Sequence, residues 1–315
     1  MEATTDTECL SAPGVLEKFQ TAGKIAQQVL AELIQKSVPG ADIHELCLFG
    51  NNRINEECSK VYLQKKIAKG VAFPVSIAPN DICGHFSPLK EESPKLAEGD
   101  LLKVDLGVQI DGFPALIAHS FIVGKTTDEL KLKALSAAYI GLETAVKNLK
   151  PGSSNSHLTH VINEVTGHFE AQTLEGVLSH ALRRFLIDSN DVIILKENAE
   201  QKVNHYEFKI NDVFAIDVFA TANSMEGKTK ESESRTTIFK QIPDANHDVK
   251  TKSAKKMLNE VNNKFFGFGF SLNDFEDELV GLLGSKSRSG RVCQVRPFPA
   301  ISRFARKDQD ARCAL

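Results

Sequence analysis

The sequence predicts an α+β fold in which an antiparallel, hairpin-built sheet is covered by helices. Three observations predict it. Residues 101–107 and 113–123 are apolar runs separated by Gln109-Ile110-Asp111-Gly112, and an Asp-Gly ending marks a β-hairpin. Within residues 126–149, Leu130, Ala134, Leu135, Ala138, Leu142, Ala145, Val146 and Leu149 recur at helical spacing. Residues 173–240 alternate turn signals with short strand-like runs.

The elements follow in order. Residues 13–37 begin with Pro13 and set Leu16, Phe19, Ala22, Ala26, Val29, Leu30 and Leu33 on one helical face, and Pro39-Gly40 stops the helix. A second helix is expected over 43–69, ending in Lys60, Lys65, Lys66 and Lys69 before Gly70. The period then changes. Residues 71–77 read as extended, and Ala78-Pro79-Asn80-Asp81 is turn chemistry. The helix at 126–149 places Lys147 and Lys150 at its negative end and stops at Pro151-Gly152. A shorter helix from about Asn155 turns Leu158, Val161, Ile162, Val165 and Phe169 inward. Strands are expected at 192–195, 213–219 and 236–239, with a polar loop at 226–233. Residues 252–265 read as a helix that starts with Lys252, Lys255 and Lys256, and Ser271 caps another through 283.

Composition bounds the class. The 315 residues are 42% hydrophobic and 25% charged, enough for one large domain or two small ones, and neither fibrous nor wholly disordered. No apolar run approaches the ~20 residues of a membrane span, and the N-terminus lacks a signal peptide. No membrane insertion and a cytosolic or nuclear residence are therefore expected. The six cysteines contain no C-x-x-C, which speaks for free thiols over zinc ribbons or disulfides. The net charge of −3 hides an asymmetry, since residues 284–315 hold eight basic and two acidic side chains, net +6, leaving −9 for the rest. Six of those eight are arginines, against four in the preceding 283 residues. Such an ending reads either as a nucleic-acid contact or as a differently encoded stretch, the mark of a truncated or mispredicted gene product.

No one-line motif of nucleotide, zinc-protease or serine-hydrolase chemistry is present. The Gly267-Phe-Gly269 pair follows no clear strand, and His157-x-x-His160 reads as a pair of surface histidines on an amphipathic helix. Three polar residues interrupt apolar segments instead: Asp105, His180 and Asp217. A carboxylate in a buried strand is costly unless it is paired, hydrogen-bonded or metal-bound. Spacing leaves two readings open, a satisfied polar residue at a strand end or a metal site.

A longer series carries a resemblance. Val71-Ala-Phe-Pro, His85-Phe-Ser-Pro, Lys103-Val-Asp-Leu-Gly-Val108, Asp111-Gly112, Ala118-His-Ser120 and Lys150-Pro-Gly152 are followed by Glu175-Gly-Val-Leu-Ser-His180, Val213-Phe-Ala-Ile-Asp-Val218 and Arg235-Thr-Thr-Ile-Phe239. Over about residues 12–280 this order resembles type II methionine aminopeptidases. It resembles more closely their non-peptidase relatives, the proliferation-associated (ErbB-receptor-binding) proteins, whose branch shows His-Phe-Ser-Pro-Leu-Lys and Arg-Thr-Thr-Ile-Phe-Lys.

The resemblance implies a pita-bread fold, with a disordered N-terminus at 1–11, a pita-bread domain at 12–224 and an inserted helical segment at 225–283; the basic tail at 284–315 departs from the family and is not expected to complete the sheet. In the enzymes two divalent metals are held by Asp, Asp, His, Glu and Glu. Asp105 matches the first aspartate and His180 the histidine. Leu116 stands where the second aspartate belongs, Asp217 stands for a glutamate, and the last glutamate has no counterpart. His85 matches the substrate-side histidine. The resemblance thus implies vestigial site positions at His85, Asp105, Leu116, His180 and Asp217, with no catalysis, metal, cofactor or small-molecule substrate. It implies a binding protein of RNA or ribosomal particles, with protein partners besides, acting in ribosome biogenesis, translation or growth control in cytoplasm and nucleolus. Lys60, Lys65, Lys66, Lys69, Lys252, Lys255 and Lys256 are the candidate RNA contacts. The alternative is an active metal-dependent methionine aminopeptidase.

Overall fold

The structure, a computed structural model, describes residues 8–198, 201–223, 227–231, 234–241, 252–275, 295–297, 302–304 and 313–314. Helices α1 (Val15–Lys36) and α2 (Ile43–Ser59) pack on a three-stranded antiparallel sheet of β1 (Lys69–Pro79), β2 (Leu101–Ile110) and β3 (Phe113–Ile122). Asp42 caps α2 by accepting the Glu45 N–H at 3.2 Å. The β2–β3 hairpin pairs from Leu101 with Ile122 to Ile110 with Phe113. Its two-residue turn has positive φ at Asp111 (54°) and Gly112 (82°), the backbone that Asp-Gly favours. Asp111 is tied down by Lys18 at 2.6 Å and Arg184 at 2.8 Å, and those two cations hold its carboxyl below the usual range despite burial.

Alternation along β2 sorts its residues between two faces. Leu102, Val104, Leu106, Val108 and Ile110 enter the large core under α1 and α2 with Leu33, Ile43, Ile54 and Ile77. Lys103, Asp105, Gly107 and Gln109 face the other way, yet Lys103 and Gln109 are fully buried there. Lys103 Nζ donates to Asn80 O at 2.8 Å, and Gln109 Oε1 accepts the Gly112 N–H at 2.8 Å.

What covers that face is the second half of the chain. Helices α3 (Glu129–Asn148) and α4 (Asn155–Gly167) lead to β4 (Ala171–Thr173), β5 (Leu178–Ala181), β6 (Val192–Ile194), β7 (Phe214–Ala215) and β8 (Ala220–Ala222). Then come β9 (Thr229–Glu231), β10 (Ile238–Gln241), α5 (Lys252–Phe265) and β11 (Gly269–Ser271), and finally β12 (Val295–Pro297), β13 (Ser302–Phe304) and β14 (Cys313–Ala314). The small sheets run β6-β5-β7, β14-β8-β4, β11-β10-β12 and β13-β9, and every pairing is antiparallel. The α3 seam is built of small residues, Ala134, Ala137, Ala138, Gly141 and Ala145, whereas Leu130 and Val146 of the predicted face are exposed. A Cβ on Gly141 would meet Val218 at 3.1 Å and Thr166 at 3.3 Å, so α3 approaches its neighbours closely.

Several expectations need correction. The second helix ends at Ser59 and not near 69, and Tyr62 just beyond takes a left-handed φ of 50°, which no helix continues through. Of the strand expected at 213–219 only Phe214–Ala215 forms, because the chain leaves β5 after Ala215 and joins β4 from Ala220. Ser271 caps a 3-10 turn, Leu272–Asp274, and the rest of that expected helix lies outside the described residues. The segment 225–283 holds one described helix among three strands, since β10 and β11 pair with each other. Residues 8–11, expected to be disordered, form turns in which Ala12 N–H donates to Cys9 O at 2.9 Å, and residues 1–7 lie outside the described residues. The tail beyond 284, not expected to complete the sheet, contributes three short described strands: β12 pairs with β10, β13 with β9 and β14 with β8. Cys9, Cys47, Cys58 and Cys83 are free thiols, and burial pushes those of Cys47 and Cys58 up to about 12.

Candidate functional site

The structure brings His85, Asp105, Leu116, His180 and Asp217 to one cavity of about 1100 Å3 between the hairpin and the short strands. Two come from the hairpin. Asp105 lies opposite Ala118 and Leu116 opposite Gly107, on the face turned away from α1 and α2. A Cβ at Gly107 would sit 2.5 Å from Leu116 and 2.8 Å from the Phe73 backbone, so only glycine leaves Leu116 its place. Leu116 packs against the buried cluster of Phe73, Leu182, Ile187, Ile238 and Phe268.

The opposite wall is positioned by hydrogen bonds. His180 lies in β5, and its Nδ1 stands 2.9 Å from Ser189 O. A carbonyl only accepts, so Nδ1 bears a proton and donates to it. Asp217 occupies the link between β7 and β8, where its N–H donates to Ser179 Oγ at 2.9 Å. Burial raises the Asp105 pKa well above its ordinary value, and the Asp217 charge pushes it further. Burial likewise pushes Asp217 up to about 6, opposed by His180. Two carboxyls whose charges oppose each other in a desolvated cavity do not both ionise freely at neutral pH.

His85 sits in the turn after β1 with φ 55°, its ring 5.2 Å from that of Phe73. That turn is fastened by the segment carrying the Arg235-Thr-Thr-Ile-Phe-Lys240 motif. Thr237 Oγ1 donates to Ser87 O at 2.7 Å, and Asn273 Nδ2 to Pro88 O at 3.0 Å. Lys240, buried, pairs with Asp188 beside Ser189. Sequence reasoning used this motif only for its likeness and missed Ser179, Asp188 and Ser189. The run Asp188-Ser189-Asn190 was legible only as turn chemistry, and no spacing tied it to His180.

The donor set does not fit two divalent metals. Leu116, at the position the resemblance gives to a ligand, presents methyl groups to the cavity, where Asp105, His180 and Asp217 are the matched donors among the described residues. Among the described residues no three His, Cys, Asp or Glu side chains are grouped as a metal-binding set.

The candidate RNA-contact lysines are dispersed. Lys60 is engaged by Glu56 and Glu57 at 2.9 and 2.8 Å, and Lys69 Nζ donates to Val61 O at 2.6 Å. Lys65 and Lys66 are exposed in the loop after α2, with Lys65 5.7 Å over the Tyr62 ring. Lys252, Lys255 and Lys256 are exposed at the start of α5. His157 and His160 lie on the exposed face of α4, as surface residues.

A hairpin sheet and short strands closing over a cavity that holds Asp105, His180 and Asp217 define an aminopeptidase-like pita-bread scaffold. Residues 17–221 match the model of metallopeptidase family M24, and the chain belongs to that family, in its proliferation-associated and ErbB-3-binding branch. It is 35% identical to the proliferation-associated protein A of Dictyostelium discoideum over 90% of this chain and 74% of that protein. It is 33% identical to the ERBB-3 binding protein 1 of Solanum tuberosum over 87% of this chain and 71% of that one, and 32% identical to a curved DNA-binding protein of Schizosaccharomyces pombe over 86% and 73%. A methionine aminopeptidase of Thermococcus onnurineus is 30% identical over 88% of each chain. In fold the chain is similar to a thermophilic Arx1, with a TM-score of 0.83, 24% identity and coverage of 96% and 86% of the two chains. No described helix is long and apolar enough to cross a membrane.

Proposed function

We propose that this chain is a non-catalytic binding protein built on an aminopeptidase scaffold, associated with RNA or ribosomal particles in ribosome biogenesis, translation or growth control, in the cytoplasm and nucleolus. The observation that carries the non-catalytic part is Leu116, an aliphatic side chain packed at a ligand position. Two dications need compensating negative charge, and this substitution supplies apolar surface. The relatives' names support the binding part: one is called curved DNA-binding, others ErbB-3-binding or proliferation-associated.

Residues 1–283 carry a net charge of −9, so attraction to phosphate must come from local patches and not from the overall field. Lys65 and Lys66, exposed and without a carboxylate partner among the described residues, are the first choice, with Lys252 and Lys255 the second. Binding to folded RNA, measured against salt, tests this. The double change Lys65→Glu/Lys66→Glu is expected to weaken it and to flatten the salt slope by about one unit for each phosphate that is no longer neutralised. Undiminished binding by the double variant removes this patch, and no binding by the parent at low salt turns the reading to protein partners alone. A metal-dependent aminopeptidase is the second reading, favoured by the shared cavity of His85, Asp105, His180 and Asp217.

A further inference from the structure

Helix α3 has an outward side that neither the cavity nor the lysine patch uses. Its inward side is built of alanines and Gly141, and the large apolar residues of the helix point elsewhere. Of the ten exposed large apolar side chains among the described residues, five stand on this helix: Leu130, Leu132, Tyr139, Ile140 and Val146. Tyr139 and Val146 are each 58% exposed. Beyond its first turn α1 exposes Gln20, Lys24, Gln27, Gln28 and Gln35 instead. Single apolar residues on a surface need no explanation, but Leu132, Tyr139, Ile140 and Val146 share one stripe of one helix, which marks a contact surface.

The order of residues along that stripe selects the occupant. From Glu129 to Lys150 exposed residues recur at alternating steps of three and four, the spacing of a seam between paired helices. Outward from Tyr139 in the middle, the two arms of the seam complement each other. Ser136 on one arm offers a hydroxyl donor, and Glu143 on the other a carboxylate acceptor. Glu143, 4.0 Å from Lys147 of its own helix, is still half exposed, so it has room for a second donor. Leu132 and Val146 are both aliphatic, and Glu129 and Lys150 carry opposite charges, with Lys147 one turn before Lys150. A second α3 laid antiparallel, on a two-fold axis at Tyr139, sets each group against its match twice over. It also sets the positive end of one helix against the negative end of the other. A parallel pair would instead face Glu129 with Glu129 and Lys150 with Lys150, which is repulsive at both ends.

We propose that α3 is a self-association surface, on which a second copy of this chain docks its own α3 antiparallel about a two-fold axis at Tyr139. A helix of 20 residues is about 30 Å long, and one such pair buries less than the roughly 1,200 Å2 at which standard interfaces begin. The dimer is therefore transient, with a dissociation constant of about 10–100 µM. It uses the outward face of α3 alone, so it stands or falls apart from the RNA reading.

Sedimentation equilibrium of the full chain between about 1 and 500 µM tests it, a range that brackets this affinity. The mean mass is expected to rise from that of one chain toward that of two. Tyr139→Glu, at an exposed position on the axis, should weaken the dimer at least about tenfold, and Tyr139→Ser, which removes the ring without adding charge, at least about threefold. Gln27→Glu on α1 should leave it unchanged. Charge reversal tests the direction of the pair. Glu129→Lys and, in a separate chain, Lys147→Glu/Lys150→Glu should each weaken self-association at least about threefold, because like charges then meet at both ends. Mixed in equal amounts, these two variants should form a dimer within about twofold of the parent's affinity, since every end then joins a lysine to a glutamate. A cooperative melt of each variant shows that the fold is kept. A parent that stays monomeric throughout the range, a dimer indifferent to Tyr139→Glu, or a mixture no tighter than its components overturns the proposal.

Discussion

The first half of the molecule sets α1 and α2 against antiparallel strands and the second sets α3 and α4 against others, but the two are held together differently. In the first, strands of 10 and 11 residues bury one continuous aliphatic core beneath α1 and α2. In the second, β4 to β8 are only two to four residues long, and the core breaks into several small clusters. Side-chain amides and hydroxyls take over the work of a ladder there. Asn155 Nδ2 donates to Val192 O at 3.0 Å and Asn204 O at 2.8 Å, and Asn163 Nδ2 to Leu195 O at 2.6 Å. The cavity is thus walled by a stiff hairpin on one side and by a hydrogen-bonded frame on the other.

Truncation separates the two modes. The largest effect is expected in the first half, where Leu33→Ala empties a fully buried site and lowers stability by about 3–5 kcal/mol in denaturant unfolding. Asn155→Ala leaves the Val192 and Asn204 carbonyls without their donor and should cost about 1 kcal/mol. Its distinguishing sign is hydrogen exchange. Amides of β6 and its neighbours should lose protection while those of β2 keep theirs, and uniform loss across both halves would break the comparison.

The cavity itself gives a pH signature. Asp217 titrates near 6 when folded and near 4 when unfolded, so the folded state binds more protons between those values. Stability contributed by the neutral carboxyl is complete below about pH 4 and is lost as pH rises through about 6, by an amount of order 2 kcal/mol. Asp217→Asn should flatten that fall and raise the melting temperature at neutral pH; an unchanged pH profile would place Asp217 outside the desolvated cluster. The smallest effect is local to the first half. Asp42→Ala, which removes the cap of α2 and the bond to Ser93 Oγ at 2.7 Å, should cost about 1 kcal/mol.

The same contrast explains what the sequence made legible. The β2–β3 hairpin, α1 and α3 announce themselves by period, because long elements repeat their pattern often enough to be read. Strands of two to four residues have no period to read, so β7 and β8 merge into one apolar run and β9 hides in a polar loop. The site was visible only in part. Asp105 and Asp217 stand out as charges inside apolar runs, and the likeness to aminopeptidases places Leu116 beside them. The polar face of β2 misleads a reader of alternation, for Lys103 and Gln109 look solvent-facing yet lie buried under the second half. Ser189 and the pair of Lys240 with Asp188 depend on contacts between residues far apart in the chain, which no local pattern encodes.

The central claim is that this chain, with Leu116 at a position the resemblance gives to a metal ligand, is a non-catalytic protein on an aminopeptidase scaffold. The most direct test incubates the purified chain with excess cobalt or manganese and follows release of methionine from Met-Ala-Ser. No release above background is expected from the parent or from His180→Ala. Metal-dependent turnover by the parent that His180→Ala abolishes would contradict the claim.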